Sequence, residues 1–566
     1  MRSFYMEPEV IITNFYWERV QLYIEGYVKG INLKDSNFYI ENPTEELSLK
    51  PNNISIKKNE FRLRLNTVNI NNGNYLPSNR YLIVIENKQK NIGKLSQEFL
   101  HNEFSNLTED ELEKFNLLET ENEKENFLLS KSKVIFRHGG KSKKTTYTVT
   151  PRIARDLNEF VLSVTLRMPK PKPSFFKQKK NNFIAKYNKY SFAVRNFMFK
   201  SLFNISKLFN MRKSNTVLFT SDSRAKLSGN LKFVHDKMIE RNLDKKYKFR
   251  FIFKPHVSER RNILSKIMFP VLLGKSDYIF LDDYHPMLIG LKFRKKQEII
   301  QVWHAVGAFK TVGFSRIGKK GGFFYHYKNH RYYTKSFVAS EHDVPIYGEA
   351  FGIKDKNVIP TGVPRTDVFF DESYKDLSQK RVFSKYPNIE DKKIILFAPT
   401  FRGNGHRTAF YPFFKLDLER LANYAKNNNA VILFKMHPLV RNNIKIPKKY
   451  ENYLIDVHDY TEVNDLLFVS DLLISDYSSI IYEFALLKKP MLFYAFDLED
   501  YIATRDFYIN YSEFVPGKIV RNFNDLMKAI ENKDFEEYKI DLFLNKYFKF
   551  LDGKATERLV RNVFGS

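Results

Sequence analysis

The chain of 566 residues has no cysteine. That absence excludes disulfides, thiolate metal sites and thiol catalysis together, and it fits a reducing compartment. Long apolar runs are missing too: none approaches the ~20 residues that a membrane-crossing helix requires. Near the start, Glu7 and Glu9 follow Arg2 and interrupt any apolar core, so no secretory signal is expected and the chain reads as cytoplasmic. Acid is missing from one stretch: between Phe160 and Ser221 there is no Asp or Glu. Zinc-finger spacing, RRM-type motifs and a Walker A loop are absent as well.

What is present is positive charge. The net charge is +29, while 43% hydrophobic and 16% aromatic content argue for globular folding in two or three domains. Such a surface seeks nucleic acid, anionic lipid or a polyanionic substrate, unless it is simply a solvated basic face. With no nucleic-acid motif, nucleic acid is not the expected partner.

Residues 1–168 alternate apolar and polar, as in Val20-Gln21-Leu22-Tyr23-Ile24 and Phe61-Arg62-Leu63-Arg64-Leu65, with turns rich in Asn and Gly. This predicts a mostly β, sandwich-like recognition domain carrying an acidic helical insert near Glu109 to Glu125. Residues 169–213 follow, opening on Pro169-Lys170-Pro171-Lys172-Pro173. In them Phe183, Tyr187, Tyr190, Val194, Phe197, Phe203 and Leu208 fall near helical spacing among lysines. A basic, acid-free amphipathic helix suits an anionic membrane surface, although such a stripe can also pack on a neighbouring domain. From residue 214 the pattern turns to short apolar runs alternating with helices. Candidate strands are 217–219, 251–253, 278–280, 299–302 and 338–340, then 394–397, 431–434, 472–474 and 491–494. This predicts an α/β pair of doubly wound, Rossmann-like halves, 214–380 and 381–566, facing each other across a cleft, with a closing helix near Glu557 to Phe564.

Polar clusters sit just after these strands, where a doubly wound sheet places its site. They are Trp303-His304 with Lys310, a loop carrying Arg316, Lys319 and Lys320, then Gly362-Val363-Pro364-Arg365-Thr366-Asp367. The second half supplies Thr400 and Arg402, Lys435-Met436-His437-Pro438, and Ser475 to Ser479. Ser478 and Ser479 open a helix, where hydroxyls and free N–H groups either cap it or bind an anion. Glu483 follows one turn on, where a carboxylate could meet a ribose.

The order WH…G…K, GxPRxD, APTxR, KxHP and SDYSS closely resembles the CDP-glycerol/CDP-ribitol polyol-phosphate transferases of wall teichoic acid synthesis. The segments FYWERVQL, KKTTYTV, TVLFTSDSR, QVWHAVGAFKTVGFSR and FYAFDLEDYIATRDFY extend the likeness over nearly the whole chain, toward the poly(ribitol-phosphate) polymerases. Ala305 departs from the Gly that usually follows the WH pair. The resemblance implies a GT-B architecture and attack of an acceptor hydroxyl on the β-phosphorus of CDP-ribitol, or of CDP-glycerol in the alternative, with release of CMP. It implies His304 as general base and His437 as the group that binds or protonates the pyrophosphate. Arg365, Thr400, Arg402, Ser478, Ser479 and Glu483 would hold the donor, and Lys310, Arg316, Lys319 and Lys320 would line the path of the polyanionic acceptor. Asp367 and Asp476 would orient neighbouring groups. The acceptor would be attached to undecaprenyl diphosphate, placing the protein peripherally on the cytoplasmic face of the membrane. No metal is required by this reading, although Mg²⁺ can accompany the diphosphate.

Overall fold

A computed structural model describes residues 8–565 except 44–46, 68–69, 72–74, 88, 139–144, 155, 158, 168–174, 210–213, 257–258, 317–329, 404–407, 499–500 and 503–506. The Pro169 to Pro173 linker, Lys319 and Lys320 therefore lie outside the described residues.

The N-terminal region is mostly β, as expected. Alternation buries Val10, Ile12 and Phe15 from the strand Glu9–Glu18, and Leu22, Ile24 and Val28 from Gln21–Lys29. The strands are joined through one 11-stranded sheet and not through two separate ones. It folds over on itself: Phe38 and Phe61 lie on strands far apart along the sheet, yet their ring centroids are 5.9 Å apart. Sheets this wide curl because each strand adds twist. The acidic insert forms three short helices, Gln97–Ser105, Glu109–Asn116 and Glu121–Leu129.

The acid-poor stretch forms a 34-residue helix, Phe175–Leu208. Its C-terminal part packs on the helix Ile263–Lys275 through Phe199 and Phe203. Gly274 permits that crossing, since a Cβ there would lie 2.7 Å from the Phe203 carbonyl oxygen. Most of the apolar stripe read from the sequence is not packed at all. Phe183 is 71% exposed, Tyr190 70% and Phe197 72%.

Two six-stranded parallel sheets follow. In the first, the spatial order is Lys248–Phe253, Thr216–Ser221, Tyr278–Leu281, Glu298–Gln301, Lys335–Phe337 and Val358–Ile359. In the second it is Leu454–Asp456, Ala430–Phe434, Lys393–Phe397, Leu472–Ser475, Met491–Tyr494 and Lys518–Val520. Central strands such as Ala430–Phe434 and Met491–Tyr494 are fully buried apolar runs, which helices covering both faces demand. The chain crosses between halves earlier than residue 380. The helix Glu372–Lys385 already belongs to the second half, because Val382 is buried in that core and Arg381 pairs with Asp465. The last helix, Ala555–Phe564, returns to the first half, burying Leu559, Val560 and Val563 against its sheet. Asp367 receives that helix, accepting the N–H groups of Ala555 and Thr556 at 2.8 Å each.

Candidate active site

His304 follows the strand Glu298–Gln301 at its carboxyl end. The residue before it, Trp303, sits in the left-handed region at φ 47°, a conformation costing a bulky side chain on the order of 1–2 kcal/mol. Asn230 holds this turn. Buried on the helix Gly229–Glu240, it donates from Nδ2 to the carbonyls of Val302 (3.0 Å) and Trp303 (2.8 Å). His304 is exposed on one side, while the surrounding chain crowds its ring on the other. Its Nδ1 lies 3.0 Å from the backbone carbonyl of Asp282. A carbonyl only accepts, so Nδ1 carries the hydrogen and the neutral ring presents a lone pair at Nε2. Burial lowers the pKa of the ring below the ordinary histidine value; the Asp282 carbonyl and the Asp282 and Asp283 charges pull the other way. Arg224 forms an ion pair with Asp282 and fixes the residue that orients the ring.

Arg365 joins the two halves. Its backbone N–H donates to Asn230 Oδ1 at 2.9 Å, Nη1 donates to the His304 carbonyl at 3.1 Å, and Nη2 lies 2.8 Å from Glu483 Oε1. The guanidinium read from the sequence as a phosphate fork thus spends that fork on a bridge. Glu483 is buried, which raises its carboxyl pKa while Arg365 opposes the rise. Its other oxygen, Oε2, is buried without a hydrogen-bond partner among the described residues.

Arg402 corrects a second expectation. Only 2% exposed, it faces the interior of its domain and not the cleft. Nε and Nη2 donate to the two oxygens of Asp497 (2.6 and 2.8 Å), and Nη1 donates to Asp476 Oδ2 and the Thr400 carbonyl (2.8 Å each). Burial works against the charged guanidinium, but Asp497 and Asp476 outweigh it and keep its pKa well above the ordinary value. Asp476 also accepts the Thr400 N–H at 2.7 Å, so Thr400 is tied into the same cluster. This buried triad organises the Thr400 loop and the Ser475 to Ser479 turn.

Ser478 is half-buried and Ser479 exposed at the start of the helix Ile480–Ala485. The Ser479 hydroxyl makes no capping bond, and Ser478 makes only a 3.5 Å contact with the Ile480 N–H. His437 is exposed; its Nδ1 accepts the Leu439 N–H at 3.1 Å, so the neutral ring carries its hydrogen on Nε2. The two histidines therefore differ in tautomer, one presenting an acceptor and the other a donor.

Elsewhere the halves are clasped. Phe309 stacks between Phe507 and Phe514, each at 4.6 Å, and Lys310 pairs its backbone with Phe507 and lies 5.3 Å over the Tyr501 ring. Gly307 meets Tyr482 so closely that a Cβ would be 2.2 Å from the ring. Arg316 ends the short helical turn Gly313–Arg316 on the same edge. Among the described residues no group of three or more His, Asp or Glu side chains is placed to hold a metal ion. Sequence reading missed Asn230, Arg224, Asp282 and Asp497. Their signal is weak, since each acts through a partner far away in the chain.

Two facing parallel-sheet halves, with polar loops converging from their strand ends, define a GT-B transferase. Residues 202–565 match the family model described as CDP-glycerol:poly(glycerophosphate) glycerophosphotransferase, and the chain belongs to that family. It is 54% identical over 561 residues to the teichoic acid ribitol-phosphate polymerase TarL of Staphylococcus aureus, covering 99% of this chain and 100% of the relative. It is 52% identical over 511 residues to TarK of the same organism, covering 90% of this chain and 100% of that one. The solved structure of the wall teichoic acid polymerase TagF superposes with a TM-score of 0.54 at 24% identity, over 67% of this chain and 97% of that one. The sheet of the N-terminal region lies outside the family match.

Proposed function

We propose that the protein moves ribitol phosphate from CDP-ribitol onto the hydroxyl end of a lipid-linked teichoic acid chain, releasing CMP and extending poly(ribitol phosphate). The observation that carries this is the single arginine bridge. Arg365 ties the backbone of His304 to Glu483, which supports a reading in which the imidazole of one half and the Ser478-Ser479 turn of the other act on one donor. The acceptor oxygen attacks the β-phosphorus and its proton passes to His304 Nε2. The bond from that phosphorus to the bridging oxygen breaks, and CMP leaves. His437 donates through Nε2–H to the departing phosphate, Ser478 and Ser479 hold the phosphate oxygens, and Glu483 is the residue assigned to the cytidine ribose. Lys310 and Arg316 flank the acceptor path. The name of the nearly full-length relative supports ribitol.

The exposed apolar face of the helix Phe175–Leu208, with its lysines and no acid, supports peripheral attachment to an anionic membrane where the lipid-linked acceptor resides. No helix among the described residues is long and apolar enough to cross a membrane.

Purified protein with a lipid-linked acceptor is expected to release CMP from CDP-ribitol. Release from CDP-glycerol alone would move the assignment to glycerol phosphate, and release from neither would overturn it.

A further inference from the structure

The N-terminal β region has no part in the chemistry above, yet one of its surfaces is not free. Leu82, Val84, Ala154, Leu157 and Val161 form a small apolar socket, and the residue that fills it comes from the donor half: Phe410, only 4% exposed. Beside it Glu159 pairs with Lys415, and Arg80 lies 5.8 Å over the Phe410 ring.

Phe410 sits between two loops of the donor half. Its backbone pairs with Arg402 in both directions, at 2.8 and 3.1 Å, and Arg402 is the residue that ties Asp476 and Asp497 together beneath the Ser478-Ser479 turn. On the other side, Arg441 N–H donates to the Ala409 carbonyl at 3.2 Å. The Asn442 side chain brackets Tyr411, accepting its N–H at 3.0 Å and donating to its carbonyl at 2.7 Å. Residues 441 and 442 continue the turn that carries His437, whose carbonyl accepts the Val440 N–H at 2.9 Å.

We propose that the N-terminal β region braces the donor site, with Phe410 as a positioning residue that transmits the hold of the socket to both the Arg402 cluster and the His437 turn. This rests on the donor reading given above. It assigns to the region outside the family match the task of fixing loops that lie inside it.

The test is donor kinetics on the full chain. Phe410→Ala empties the socket from one side and Leu157→Ala loosens it from the other. Each should raise the KM for the CDP-polyol about tenfold and lower kcat as the His437 turn loosens, while leaving the acceptor KM near wild type, because the acceptor-side residues lie in the other half. The double variant should be no worse than the poorer single, since both act through one contact. An unchanged donor KM, or losses that simply add, would overturn the brace. Hydrogen exchange supplies a second arm that needs no turnover: Phe410→Leu, which stays apolar but fills the socket only partly, should raise exchange at 398–402 and 437–442 and leave 216–221 protected. Unaltered exchange at the first two segments would overturn the proposal even if Phe410→Ala fails to fold. If the wild type turns over no CDP-polyol, the function assignment falls while exchange still decides the brace.

Discussion

Arg365 and Glu483 meet across the cleft with Nη2 2.8 Å from Oε1, and the same guanidinium donates to the His304 carbonyl at 3.1 Å. One side chain therefore couples the donor-side carboxylate to the backbone of the imidazole. Lysine in its place keeps the charge but is a point donor that cannot make both bonds. Losing one charge-assisted bond of about 1.5–3 kcal/mol should lower kcat/KM of Arg365→Lys by roughly 10–100-fold, measured by CMP release. Wild-type kinetics would show that the bridge is idle.

His304 should set the acidic limb of the rate profile. Burial lowers its pKa, so the ring stays neutral, and able to accept a proton, below the usual histidine range. The rate should fall as pH drops through that lowered value, placing the limb below about 6.5. His304→Ala should reduce kcat by about 10²–10⁴-fold with the thermal midpoint nearly unchanged, because the residue is exposed. A profile still showing the acidic limb in the alanine variant would assign that limb to another group.

Ser478→Ala with Ser479→Ala separates phosphate binding from helix capping. Neither hydroxyl makes a strong intrahelical bond, so stability should stay within about 0.5 kcal/mol of wild type while donor KM rises roughly tenfold or more. A large fall in stability with donor KM unchanged would return the pair to a capping role.

The parallel sheets were legible because their central strands are unbroken apolar runs, such as Ala430–Phe434 and Met491–Tyr494. The edge strands Leu454–Asp456, Lys518–Val520 and Val358–Ile359 were not, since two or three residues with a single buried one leave no periodicity to read. The expected strand at 338–340 lies instead at Lys335–Phe337, again toward the edge. The site was legible as residue types after strand ends, but the direction of a side chain was not. Arg402 looked like a phosphate fork until two aspartates, 74 and 95 residues away, took its donors. Asn230 was hidden for a related reason: a buried asparagine among many surface ones shows itself only through partners 72 to 135 residues away.

Arg402→Met tests the buried triad. Removing the cation leaves Asp476 and Asp497 without their partner in the interior, which should cost about 3–5 kcal/mol at neutral pH. Burial already raises the pKa of Asp497, and without the arginine it should rise further. A carboxyl whose folded pKa exceeds its unfolded value binds more protons when folded, so stability falls as pH rises through that window. The variant should therefore unfold at lower urea concentration at pH 7 than at pH 5. Wild-type stability at both pH values would contradict the buried pairing.

The long helix supplies the last test. Lys186, Lys189 and Arg195 lie exposed beside Phe183, Tyr187 and Phe197, with Lys200 half-buried next to them. A basic residue near an anionic surface contributes about 1 kcal/mol, so replacing all four by glutamine should weaken binding to phosphatidylglycerol vesicles roughly a thousandfold at low salt. Replacing Phe183, Tyr187 and Phe197 by serine should weaken binding even at high salt, where charge is screened but apolar insertion is not. Six of these seven side chains are exposed and none belongs to the core around Phe199 and Phe203, so soluble turnover with a short acceptor should persist in both variants. Undiminished flotation of both would mean that this face does not meet the membrane.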